Sequence, residues 1–220
     1  MRVALLLALA AGISAGAESN STPAISFTKE FPGSQPPYCS VVVYKSGALE
    51  YKESPKDEQP VKAQLPGSEP ASLFDMAEKL DYFRQPIESG LKVANTGKKT
   101  FRYEDGTGKN SQVVFNYSQN AVAQQLLNKF EQIAASERAY IELERTAKFD
   151  KLGVNDALAQ IEQLWLRKEL AAPLQFVPLL NRVATHESYM HLARERAARL
   201  RDQFQAPPPA QQQSAAAGAK

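Results

Sequence analysis

Two periodicities divide the chain. Over the first half, apolar and polar residues alternate in short stretches. From about residue 119 the apolar positions recur at helical spacing. Ile25, Phe27 and Phe31 alternate with polar neighbours and read as a first strand. Residues 38–45 (YCSVVVYK) are β-branched and aromatic and predict a second. Ser46-Gly47 turns the chain into Leu49-Glu50-Tyr51-Lys52-Glu53, which completes a hairpin. Residues 61–65 predict a fourth short strand. After the break at Pro66-Gly67-Ser68, Pro70 suits the first turn of a helix carrying Leu73, Phe74, Ala77 and Leu80 on one side. A second hairpin joins 99–105 (KTFRYED) to 112–117 (QVVFNY) across glycine-containing residues 106–110. Phe101 and Tyr103 fall on one face of it, and so do Val113, Phe115 and Tyr117.

In the second half, Val122, Leu126, Phe130, Ile133 and Ala134 form a stripe that docks on the sheet. Gly153 reads as a C-cap and Asn155 as the next N-cap, before a helix with Leu158, Ile161, Leu164, Trp165 and Leu166. Ala172-Pro173 separates it from a third helix. There Leu179, Val183, His186, Met190, Ala193, Ala197, Leu200 and Phe204 alternate in steps of four and three. That is a heptad seam over about three and a half repeats. It predicts one long helix paired within the chain, with the segment 156–171 covering its first half. A monomer is therefore expected rather than a homodimer. The predicted fold is α+β: an antiparallel sheet of about six strands with helices on one face (residues 25–141), followed by a helical extension (142–204).

The ends add location. Arg2, the apolar run from Val3 to Ala11 and the small residues Gly12 to Ala17 have the layout of a secretory signal peptide over residues 1–17. Residues 18–24 read as a linker, and the proline-, glutamine- and alanine-rich stretch 205–220 as a tail without order. The apolar part of the leader is shorter than the ~20 residues that span a bilayer, and no later stretch is apolar enough. The mature chain is therefore expected outside the cytoplasm, periplasmic or extracellular, with no integral membrane segment. Basic and acidic residues number 26 and 24, too balanced a set to attract nucleic acid. The single cysteine, Cys39, can make no internal disulfide and reads as a small buried residue of a strand.

No motif for bond chemistry is complete. His186 and His191 lie five residues apart, about 140° around a helix, and cannot easily grip one ion. Residues 105–109 (DGTGK) lack the earlier glycine of a phosphate loop and precede a strand, so a hairpin turn explains them. There is no Gly-x-Ser-x-Gly elbow. Paired carboxylates such as Asp75/Glu78 and Glu142/Glu144 suit a solvated helix face. No metal and no cofactor is expected. Candidate contact residues are Tyr44, Tyr51 and Tyr103 on the strands, with Tyr38 and Tyr117 beside them, and Arg194, Arg196, Arg199 and Arg201 on the last helix.

Pro36-Pro37-Tyr38 followed by a strand, with Gly47-Ala48-Leu49-Glu50-Tyr51 as the returning arm, resembles an exported bacterial domain family of unknown function. Its members carry Cys-Pro-x-Tyr, a strand, and a Gly-x-Val-x-Tyr hairpin arm. The resemblance covers about residues 25–141 and implies a small α+β envelope domain. The family's turn cysteines are absent here, so no thiol role carries over. The expectation is a non-enzymatic exported protein that works by contact with a protein partner. The alternative is an envelope hydrolase with carboxylates gathered from distant segments.

Overall fold

The computed structural model describes residues 22–206. The expected signal segment 1–17 and most of the expected tail lie outside them. Six strands, β1 (Ala24–Glu30), β2 (Tyr38–Tyr44), β3 (Ala48–Lys52), β4 (Val61–Gln64), β5 (Lys98–Glu104) and β6 (Asn110–Phe115), form one antiparallel sheet in the order β4-β3-β2-β1-β5-β6. The first strand is the sheet's centre. It pairs with β2 on one side, Phe27 facing Val41, and with β5 on the other, Phe27 facing Phe101. Ala24, expected in a linker, is already in register with Tyr44 and Glu104, while Phe31 lies just past the strand.

Alternation decides the faces. Ile25, Phe27, Val41, Val43, Leu49, Tyr51 and Phe101 are fully buried on one face. Their neighbours Ser26, Thr28, Ser40, Val42, Thr100 and Arg102 on the other face are only half-buried. The helices α1 (Glu69–Lys79) and α2 (Ala121–Phe149) cover the apolar face through Leu73, Phe74 and Ala77, and through Leu126, Phe130 and Ile133. A short 3-10 turn, Asp81–Phe83, drops Phe83 into the same core.

The helix α2 is 29 residues long, about 43 Å at 1.5 Å per residue. Its start is set by Asn120, whose side-chain oxygen accepts from the backbone N–H of Val122 at 2.9 Å and of Ala123 at 3.1 Å. Its first half belongs to the sheet core, up to Ala134. From Ala139 it belongs to a second core, shared with α3 (Val154–Leu166), α4 (Val177–Thr185) and α5 (His191–Gln205). The expected division at 141/142 falls inside this uninterrupted helix.

Three local expectations change. Gly153 is not a C-cap: its φ is −71°, and it holds the N-cap position of α3, the place expected for Asn155, which is already inside that helix. A Cβ there would meet Asp150 Oδ2 at 2.5 Å, so any larger residue must displace that carboxylate. The expected tail boundary is one residue too early, since Gln205 is still in α5. The long seam helix is two helices meeting at a corner over residues 186–190. The seam residues His186 and Met190 are exposed, and Tyr189, off the seam, is buried, its hydroxyl donating to the Ala147 carbonyl at 2.9 Å. Burying that ring against α2 outweighs continuing the heptad. The outer half, Ala193 to Phe204, packs on α4 and α3, with Phe204 4.9 Å from Trp165.

Candidate functional site

Because α2 serves two cores in turn, one stretch of its surface is claimed by neither. Ala135, Arg138 and Glu142 line it. Across it stands the second half of α3, with Gln160, Gln163, Leu164 and Arg167. The concavity between them has a volume of about 640 Å³. It continues past Glu53 and Arg138 into a pocket of about 350 Å³ against the proline turn 32–37. At its other end, past Ala135 and Leu164, it opens into a further 350 Å³ lined by Asn128, Glu131, Gln132 and Glu169. Neighbouring concavities share Glu53 and Arg138 at one end and Ala135 and Leu164 at the other, so the three follow one another as a trough along α2.

A row of polar groups closes the sheet beneath it. The Arg138 guanidinium lies 3.6 Å from Glu53, which also accepts the Tyr51 hydroxyl at 3.0 Å. Lys29 pairs with Glu131 of α2 at 3.1 Å. Burial pushes the Cys39 thiol up, against the nearby Lys29 charge, and burial together with Glu53 pushes the Tyr51 phenol well up. Both groups are therefore held neutral, and neither is an activated nucleophile. Next to them Lys99, 4% exposed, donates to the Asn116 carbonyl and the Thr96 hydroxyl, each at 2.8 Å. Desolvation and the Lys29 charge lower its pKa. It ties together the loop ends at the sheet's edge.

The segment that follows α3, whose Glu169 lines one end of the trough, is pinned by two adjacent side chains of α2. Ser136 Oγ accepts the Ala171 N–H at 2.8 Å, and Glu137 Oε1 accepts the Gln175 amide at 2.8 Å. Glu137 is fully buried, and burial raises its carboxyl to about 7, opposed by the Gln175 hydrogen bond. Its position was legible: it falls where the stripe Phe130, Ile133, Ala134 would continue, a carboxylate in an apolar row.

The residues singled out from sequence do not gather here. Tyr44 and Tyr38 lie on the open sheet face, Tyr38 beside a separate, shallow concavity of about 650 Å³ with Glu30, Lys98 and Val114. Tyr51 is no surface residue: it is 0% exposed, on the helix-covered face. Tyr103 shares that face and stacks against Tyr82 at 4.4 Å between ring centres. Tyr117 lies past the end of β6, 40% exposed. The arginines brace the helical half. Arg196 and Arg199 both reach Glu162 of α3, at 3.1 and 3.7 Å, and Arg201 pairs with Asp202 at 2.8 Å. Arg194 is half-buried, its Nε without a partner. His186 is exposed at the corner, its Nδ1 taken up by Ser188.

Among the described residues, no cluster of three or more His, Cys, Asp or Glu side chains is placed to hold a metal ion, and no helix is long and apolar enough to cross a membrane. Comparison of the chain with protein families, with characterised proteins and with solved structures finds no match.

Proposed function

We propose that this protein is an exported, non-catalytic contact module that holds an extended segment of a partner polypeptide in the trough along α2. The carrying observation is the trough itself. Three concavities follow one another from the proline turn past Ala135 and Leu164, lined by small apolar residues, amides and charges. An extended peptide presents backbone donors and acceptors on both edges. Gln132, Gln160 and Gln163 offer matching groups. The ends differ in character: Arg138 and Arg167 mark one stretch, Glu131 and Glu169 the other, which favours one peptide direction. The leader-like start supports export, and the resemblance of residues 33–51 to an exported domain family agrees with it.

The test is selection of peptides from a random display library on the purified chain, followed by affinity measurement. Ala135→Trp, which fills the middle of the trough, is expected to weaken selected peptides at least tenfold. Tyr44→Ala on the open sheet face leaves them unchanged. Peptides that bind Ala135→Trp as well as the parent overturn the reading. Turnover of an envelope polymer, lost in Glu53→Gln, would replace it with a hydrolase.

A further inference from the structure

Glu137 is the only fully buried acidic side chain among the described residues, and no cation lies within ion-pair distance of it. Its Oε1 is satisfied by Gln175, but its Oε2 has no partner, and neither has Gln175 Oε1. An ionised carboxylate offers acceptors only, so the charged form leaves two buried acceptors unserved. One proton on Oε2 makes the carboxyl a donor. An acid and an amide can then complement each other on both sides.

The charged neighbours do not alter this balance. On its own helix Tyr140 is near, and the charges of Glu144 and, from α4, of Arg182 act on Tyr140. From the turn Pro173–Phe176 the contacting polar group is Gln175. The carboxyl responds to burial and to Gln175 alone.

The segment that Glu137 holds is under backbone strain. Residues 168–176 leave α3 and cross α2, with Lys168 at φ +60° and Ala172 at φ +46°, both left-handed and neither glycine. Ala172 is buried, and its neighbour Ala171 is tied to Ser136. Two consecutive side chains of α2 thus keep a strained segment in place, and one of them titrates. Glu169 of the same segment lines an end of the trough.

We propose that Glu137 and the segment 168–176 form a proton-operated latch, docked on α2 while Glu137 is protonated and released when it ionises. Only the consequence for the trough rests on the peptide-binding reading; the latch stands on its own. A released segment carries Glu169 away and shortens the trough at that end.

Hydrogen exchange of the full chain, without any peptide, tests the latch. The opening equilibrium is set by a carboxyl near 7 when docked and 4.5 when hydrated. After correction for intrinsic exchange, protection of 168–176 is therefore expected to fall about 30-fold between pH 5.5 and 8.5, while the α5 amides stay constant. Glu137→Gln, which keeps an uncharged donor in place, is expected to remain protected at both values. Equal protection of the parent at both pH values overturns the proposal, and so does the same pH dependence in Glu137→Gln. As a check on the parent chain alone, the 13C signal of the Glu137 carboxyl is expected to titrate near 7. A midpoint near 4.5 overturns the latch. None of these outcomes depends on whether a peptide binds, so the two readings fail separately.

Discussion

Replacing Phe101 with alanine tests whether the two cores are one cooperative unit. Phe101 is fully buried at the centre of the sheet core. Its ring lies 5.9 Å from Phe27, 5.3 Å from Phe83, 5.0 Å from Phe115 and 5.8 Å from Phe130. Those four partners sit on β1, the 3-10 turn, β6 and α2, so no single element can move to refill the space. Phe→Ala in such a core costs about 3–5 kcal/mol, and a site that cannot collapse lies at the upper end. With a urea slope of about 2 kcal/mol per molar, the midpoint should drop by about 2 M. Unfolding is followed by far-ultraviolet circular dichroism and by fluorescence of the single tryptophan, Trp165. Trp165 packs in the other core, 4.9 Å from Phe204. Because α2 runs unbroken through both cores, the fluorescence midpoint should move with the circular dichroism midpoint. A tryptophan transition that stays at the parent value, with a split dichroism curve, would refute the reasoning and make the halves independent domains.

The carboxyl of Glu137 gives a pH signature in stability. Its folded value of about 7 lies above the unfolded 4.5, so the folded chain holds an extra proton between them. That stability is complete below 4.5 and is lost as pH rises to 7, by about 3 kcal/mol over some 2.5 units. Urea midpoints of the parent minus those of Glu137→Gln should show this slope, and a flat difference excludes it. Asn120→Ala removes the two cap hydrogen bonds of α2 and should cost about 1 kcal/mol by the same assay. Gly97→Ala should cost about 2 kcal/mol, because φ there is +99° and a Cβ would stand 2.7 Å from that of Phe31. A parent-like midpoint in Gly97→Ala would show that the loop relocates freely.

Local pattern was enough for the sheet, for α1 and for the start of α2. Val41/Val43, Leu49/Tyr51 and Val113/Phe115 alternate because successive strand side chains point to opposite faces. The same alternation puts Tyr51 with Leu49 and Tyr103 with Phe101. A phenol does not exempt a strand tyrosine from that alternation: Tyr51 is fully buried and Tyr103 half-buried on the helix-covered face. The arginines of α5 were visible as a charge run, but Glu162, which takes two of them, lies more than thirty residues earlier.

Periodicity is a property of neighbours along the chain, and it decides which residues share a face. Contacts between distant segments obey no such rule. A heptad continues through His186 and Met190 on paper, and the chain bends there because Tyr189 finds the Ala147 carbonyl forty-two residues away. The trough exists because Glu53, Arg138 and Leu164 are brought together from the end of β3 and from two helices. A buried carboxylate at Glu137 is legible as an acid in an apolar stripe. That it lacks a cation, and so shares its fate with a proton, depends on the packing of the segment 168–176 over it.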